Sequence, residues 1–465
     1  MHAEEWRRLV QVCKRWQQII YGSPRYLDLH IHCSNAKPFR KNLSRWPEFP
    51  ITVNYTIYSD EEGLEYVDDL IAALEQPDRV HLIYLTIPSL GSIADEVLEK
   101  MKLPFPALTH LDLVGPDLYD DHEGIVLPRG FLGGSAPCLQ HLRFNAVNAA
   151  LFQELQILLL SAHNLTSLQL EDIPDCFGYI SPEAIVGGLT RLTKLRTLSI
   201  IFRSPDPDEH PDLHEGLEDR RRPEPPMPRA VLPALTELMF HGECAYLEEI
   251  VARIDMPSVE DIKIDYFPPR AEVRELSQFI GRTEHLCLAQ FRHAQVDFDF
   301  DLNAAYSQIK LDRAQGERPQ VRFSLGMIVS DFEGCPDLDE LVTCTTHVLG
   351  QLTALLSKVD HISFKGQQGL DYESNRLDNS KLLPLLHLFP AVEALHVSGV
   401  LVKHIATVLE NIDEERVSEV MPALRSLRLG NGYGPVGSTE RFLSLRQLSG
   451  HPVAIVNTDT QAKVE

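Results

Sequence analysis

The feature that most constrains this chain is a phrase that keeps returning. Its form is L-x-x-L-x-L, usually with proline in its approach. Clear copies are Val80-Ile83-Leu85, Leu108-Leu111-Leu113, Leu139-Leu142-Phe144, Leu165-Leu168-Leu170 and Leu195-Leu198-Ile200. Five more are Leu235-Leu238-Phe240, Val259-Ile262-Ile264, Val359-Ile362-Phe364, Val392-Leu395-Val397 and Leu424-Leu427-Leu429. Weaker copies sit at Leu286-Leu288 and Phe323-Leu325. Apolar residues at alternate positions read as a strand with one buried face. Between the copies lie helical stretches such as LFQELQILLLSA, PEAIVGGLTRL, AEVRELSQFI and DELVTCTTHVLGQLTALL. Neither a lone strand nor a lone helix buries its apolar side, so such units must stack on one another. The phrase predicts an α/β leucine-rich-repeat-like solenoid of parallel strands with helices outside. The strands near Val80, Leu108, Leu139, Leu165 and Leu195 are expected as parallel neighbours in chain order.

Composition narrows the partners. The 465 residues carry 43 Lys+Arg against 67 Asp+Glu, a net charge of −24. That balance argues against nucleic acid and anionic lipid, which need clustered cations. No apolar run approaches the roughly 18–20 residues of a membrane span. The opening MHAEEWRRLVQ lacks the apolar core of a signal peptide. The 8 cysteines include no C-x-x-C pair, so neither a disulfide framework nor a zinc knuckle is expected. These features point to a reducing intracellular compartment, cytoplasmic or nuclear. Arg203–Arg229 interrupts the repeats with seven prolines and no apolar period, and is expected to be a disordered acidic loop.

Enzyme-like motifs are sparse. Gly432, Gly434 and Gly437 spell G-x-G-x-x-G, followed by a helix-like stretch and Asp459. A dinucleotide site wants that order, but the leading strand here belongs to the repeat series and no Rossmann sheet follows. A glycine-rich connection to a terminal helix explains it better. His30-Ile31-His32-Cys33 has no second ligand pair at a metal-site spacing. There is no G-x-S-x-G, H-E-x-x-H or phosphate-loop motif. No catalytic residue, metal or cofactor is expected.

The strand faces are the remaining candidates. Residues alternating with the buried leucines point the other way. They are His110 and Asp112; His141 and Arg143; Ser167, Gln169 and Glu171; Glu237 and His241; Asp261, Lys263 and Asp265; His361, Ser363 and Lys365. In a stacked array they line one continuous concave surface, the usual binding side of a solenoid.

The first segment reads as a helix, with Trp6, Leu9, Cys13, Trp16 and Ile20 recurring at steps of three and four, stopped by Gly22-Ser23-Pro24. WRRLVQVCKRWQQIIYGSPRYLDL resembles the second half of an F-box, with Leu9, Val12, Cys13, Lys14, Arg15 and Trp16 at the matching positions. Ser23-Pro24-Arg25-Tyr26-Leu27 resembles the exit segment of fungal F-box proteins. The phrases LLPLLHLFPAVEALHVSG, VMPALRSLRL and FLSLRQLSGHPVAIV are similar to mushroom-type F-box proteins with degenerate leucine-rich repeats. The resemblance implies a partial F-box helix at 1–25 and a repeat array at 26–465. It implies a non-catalytic substrate-recognition adaptor of a Skp–cullin–F-box ubiquitin ligase. Leu9, Val12, Cys13 and Trp16 would meet a Skp-type adaptor and, through it, the cullin complex. The strand face would hold an unidentified protein substrate.

Two departures shape the expectations. The Leu-Pro, Glu and Ile-Phe opening of an F-box is not in the sequence, so this chain alone is expected to bind the adaptor weakly. On the helix, Cys13 and Trp16 are expected to turn mainly inward onto Leu27 and Leu29, leaving Leu9 and Val12 for the adaptor. The asparagine that follows L-x-L in regular repeats is replaced by Pro116, Val147 and Ile173, so the asparagine ladder is missing. The alternative reading is a leucine-rich-repeat-like interaction protein with no ligase association. A nucleotide-dependent enzyme using the terminal glycines is a third class.

Overall fold

The computed structural model describes residues 12–22, 30–35, 39–45, 49–57, 67–88, 91–116, 124–147, 152–173, 181–203, 229–267, 272–300, 305–313, 321–329, 338–366, 377–430 and 439–456. Leu9, the expected loop from 204 to 228, the glycines at 432–437 and Asp459 lie outside these residues. Contacts group the described chain into two units. The first runs to Arg203 and adds Ala230–Leu235; the second continues from Thr236.

In the first unit seven strands lie side by side in chain order. They are β1 (Ile31–Cys33), β2 (Ile51–Thr56), β3 (Val80–Thr86), β4 (His110–Val114), β5 (His141–Asn145), β6 (Ser167–Ile173) and β7 (Thr197–Phe202). Each is parallel to the next, as the phrase predicts for β3 to β7. A two-residue strand, β8 (Ala230–Val231), ends the unit. Helices Arg40–Arg45, Val67–Leu74, Ser92–Lys100, Phe152–Ser161 and Pro182–Leu189 carry the chain from one strand to the next, and a short 3-10 turn, Phe131–Gly134, does so between β4 and β5. The helix at Pro182 starts where sequence chemistry requires. Pro182 needs no amide partner in the first turn, and the Ser181 hydroxyl accepts the Ala184 N–H at 3.2 Å.

The register aligns the apolar pairs. Leu111, Leu142, Leu168 and Leu198 form one row, and Leu113, Phe144, Leu170 and Ile200 the next. All eight are at most 4% exposed. Burying each such side chain is worth about 1.5–3 kcal/mol.

The leading residue of each phrase has its own role. Its N–H closes a turn onto the carbonyl three residues back: Leu165 onto Ala162 at 3.0 Å, Leu195 onto Leu192 at 3.1 Å, Val359 onto Leu356 at 3.1 Å, Leu424 onto Met421 at 2.9 Å. One residue later, a carbonyl accepts two N–H groups from the following unit. Gln140 O takes Thr166 and Ser167, Thr236 O takes Glu260 and Asp261, and Glu393 O takes Arg425 and Ser426. Main chain thus stitches one unit to the next without any asparagine. At the asparagine positions Pro116, Val147 and Ile173 are buried instead.

The second unit contains β9 (Glu237–Glu243), β10 (Ile254–Asp255), β11 (Asp261–Phe267), β12 (His293–Phe300), β13 (Ala305–Asp312), β14 (Arg322–Val329), β15 (His361–Gly366), β16 (Ala394–Gly399), β17 (Ser426–Leu429) and β18 (Ala454–Ile455). Its sheet runs β9-β11-β14-β13-β12-β15-β16-β17-β18. Chain order therefore reverses in the middle. β12, β13 and β14 form an antiparallel meander, with β14 parallel to β11 and β12 parallel to β15. The reason is connection length. Residues 301–304 and 313–321 are too few for a parallel crossover, which takes about a dozen or more residues. Helix Leu338–Gln351 then packs on β13, the middle strand of the meander, where Ser307 and Thr345, both fully buried, share a 2.8 Å hydrogen bond.

The weak copy at Leu286-Leu288 is not a strand. It forms the helix Glu284–Leu288, with Leu286 buried and Leu288 59% exposed. The strand place beside β15 belongs to β12, which starts at His293. Phe323-Leu325 is a strand, inside β14.

Candidate protein-binding face

The side chains that alternate with the buried rows form the polar face of each unit. None of the predicted residues His110, Asp112, His141, Arg143, Gln169, Glu171, Glu237, His241, Asp261, Lys263, His361 and Lys365 is buried.

In the first unit, register sets His110 beside His141 and Asp112 beside Arg143, followed by Gln169 and Ser199. Arg143 organises the centre. Its Nε and Nη2 donate to Glu171 Oε2 at 3.0 and 2.8 Å, while Nη1 lies 3.5 Å from Asp112 Oδ2. The Glu171 hydrogen bond raises the Arg143 pKa. Burial pushes the Asp112 carboxyl up against the pull of Arg143. The rings of His110 and His141 stack with centroids 4.2 Å apart and planes 19° from parallel. Burial, then the charge of His141, lowers the His110 pKa.

In the second unit the meander brings new residues between the predicted ones. Register gives a row Glu237–Asp261–Arg322–Asp312–His293–His361. The next row is Lys263–Ser324–Lys310–Gln295–Ser363–His396–Arg428. The third is His241–Asp265–Gly326–Gln308–Asp297–Lys365. Lys263 lies 3.5 Å from Asp265, and Lys310 lies 3.7 Å from Asp297. Tyr306 donates to Asp265 at 2.9 Å and accepts from Gln308 at 3.0 Å. Burial, then Asp265, pushes the Tyr306 hydroxyl pKa up. Burial raises the Asp261 pKa against the opposing charge of Arg322, and burial lowers the pKa of His241.

The structure therefore brings Asp112, Arg143 and Glu171 together, and sets Glu237, His241, Asp261 and Lys263 on the neighbouring strands β9 and β11. His361 and Lys365 lie on β15, with the three strands of the meander between them and β11. Sequence reasoning missed His293, Gln295, Asp297, Gln308, Lys310 and Arg322. For all but Arg322 the signal was the alternation in HAQVDFDF and AYSQIKLD, which lack the L-x-x-L-x-L phrase; Arg322 directly precedes the weak copy Phe323-Leu325.

The predicted adaptor-binding residues lie on another element. Helix Lys14–Gly22 follows Val12 and Cys13. Every described side chain of its first two turns is exposed. The expected inward turn of Cys13 and Trp16 is therefore corrected: Trp16 is 47% exposed and Cys13 is exposed as well. Trp16 and Ile19, three residues apart, share one side of the helix at 47% and 54% exposure, and Val12, just before the helix, is 65% exposed. Sequence reasoning placed Trp16 in a stripe with Leu9 and Cys13 and left Val12 nearer the adaptor.

Among the described residues, no group of three His, Cys, Asp or Glu could hold a metal ion, and no helix is long and apolar enough to cross a membrane. The polar faces offer rows of donors and acceptors at strand spacing, chemistry suited to holding another chain. No protein-family model matches the sequence, and no curated protein matches it.

Proposed function

We propose that the chain is the non-catalytic, target-holding subunit of a Skp–cullin–F-box ubiquitin ligase, built as an F-box-like helix followed by a leucine-rich-repeat-like solenoid. The observation that carries this reading is the exposed apolar set Val12, Trp16 and Ile19, on and just before the helix that carries the end of the F-box-like string VCKRW. Such an exposed apolar set marks a surface that another protein covers. The polar sheet faces supply the second requirement, a surface for the target.

Burying two side chains of this set contributes on the order of 3–6 kcal/mol before association costs. That is too little for firm binding by this helix alone. Co-purification with a Skp-type adaptor tests the reading in two forms: the chain as given, and the chain extended upstream by a complete F-box. The extended form is expected to retain the adaptor and the short form to retain little. An extended form that retains none favours an interaction protein outside any ligase, for which the polar faces would serve equally well.

A further inference from the structure

We propose that the polar face of the second unit forms a trough for an extended acidic segment of a partner protein. The proposal rests on the reading that this face holds a target, but not on adaptor docking.

Two adjoining depressions, of 830 and 410 Å³, share His293 and Asp312. Together they cross β11, β14, β13, β12, β15, β16 and β17, near the starts of all but the antiparallel β13. Seven strands about 4.8 Å apart span roughly 29 Å, the length of about nine extended residues. The lining inverts the charge of the chain. Five cations, Lys263, Lys310, Arg313, Arg322 and Arg428, stand against two carboxylates, Asp261 and Asp312. The chain as a whole carries −24. His293, His361 and His396 add ring nitrogens along the same path.

The lysines are loosely held. Both ion pairs are long: Lys263 Nζ lies 3.5 Å from Asp265 Oδ2, whose Oδ1 takes the Tyr306 hydroxyl at 2.9 Å, and Lys310 Nζ lies 3.7 Å from Asp297 Oδ2, which also accepts from Gln295 at 2.6 Å. A ligand carboxylate could therefore draw both ammonium groups toward the trough. The meander is what makes the site, because it sets Lys310 and Arg322 between Lys263 and His361. Five cations over this length suit the sparse carboxylates of a peptide. Duplex DNA carries a charge about every 1.7 Å and would meet the repulsion of the whole acidic chain.

The test is a fluorescence-anisotropy titration of the full chain with a labelled decapeptide of five Ser-Glu repeats. The expected result is saturable binding that weakens with salt, with the matching Ser-Gln decapeptide at least tenfold weaker. The double variant Lys263→Glu/Lys310→Glu should lose at least tenfold in affinity. The neutral pair Lys263→Gln/Lys310→Gln should also weaken it, which guards against misfolding of the charge reversal, and circular dichroism reports the fold of both. Lys102→Glu/Lys194→Glu, an equal change of charge elsewhere, should bind as the parent does. No binding, equal binding of the two peptides, full affinity in the folded lysine variants, or tighter binding of a single-stranded oligonucleotide overturns the proposal. Adaptor co-purification from the same preparations separates failure of the trough from failure of the ligase reading.

Discussion

Tyr306 on β13 reaches over β14 to donate its hydroxyl to Asp265 on β11 at 2.9 Å, and the residue beneath that bond is Gly326. A Cβ at Gly326 would run into both the Asp265 carboxylate and the Tyr306 hydroxyl. The glycine is needed for space here, not for a left-handed backbone. Gly326→Ala is expected to destabilise the protein by about 1–3 kcal/mol, the usual cost of overpacking. Tyr306→Phe removes the hydroxyl and should recover part of that loss in the double variant, although alone it costs about 1 kcal/mol. Urea denaturation of the four proteins checks this; strict additivity would show that the glycine and the hydroxyl do not compete for one space.

Arg446 is fully buried, and its guanidinium donates to main-chain carbonyls at the turn before β17. The distances are 3.0 Å to Leu424, 3.3 Å to Val417, and 3.4 Å to both Met421 and Pro422. Burial lowers its pKa. The planar fork serves several acceptors at once, which an ammonium cannot do from one position. Arg446→Met should cost about 2–3 kcal/mol by removing the donor to the Val417, Pro422 and Leu424 carbonyls, Met421 keeping the Leu424 N–H, and Arg446→Lys should restore little of it. Thermal or urea unfolding is the measurement, and a lysine variant as stable as the parent would refute the role.

His110, half-buried against His141 on the polar face, gives stability a pH dependence. Because folding lowers the His110 pKa below its ordinary 6.5, the unfolded chain binds more protons across that interval. Stability from this group is complete above pH 6.5 and falls as pH drops through that value toward the lower folded pKa. The slope is at most about 1.4 kcal/mol per pH unit for one proton. His241 and His396, whose pKa values burial also lowers, act in the same direction. The difference in unfolding free energy between the parent and His110→Gln, measured from pH 7.5 to 5, should shift in favour of the variant as pH falls. A pH-independent difference would contradict it.

The sequence revealed the stack more clearly than the sheet's order. The leading residue of each phrase is nearly always a leucine or valine because its side chain is buried at the turn its N–H closes before the strand, so Leu108, Leu139, Leu165 and Leu195 announce β4 to β7 and their sequence in space. β12, reached through two helices, is preceded by Phe291 rather than a leucine or valine, and β13, joined to it by residues 301–304 alone, has no turn-and-helix unit before it. Only the short connections at 301–304 and 313–321 force their direction, and those are visible only once the strand ends are known. The polar face was legible residue by residue from the two-residue period. Its partnerships were not. Asp112 meets Arg143, and Lys310 lies between Ser324 and Gln295, because main-chain register sets cross-strand neighbours. On the first helix, spacing identified an apolar stripe but not whether anything covers it, and Trp16 was assigned inward for that reason.

The ligase reading stands most directly on Val12 and Trp16, whose exposure makes them dispensable to folding and free for docking. The decisive measurement is the affinity of a purified Skp-type adaptor for the chain extended by a complete upstream F-box, with and without Val12→Asp/Trp16→Ala. The account predicts firm binding by the extended chain and a loss of about 100-fold or more in the variant, matching the roughly 3–6 kcal/mol of buried side chain. Unfolding free energies of the two should agree within about 0.5 kcal/mol. An extended chain that ignores the adaptor, or a variant that binds it as tightly as the parent, would contradict it.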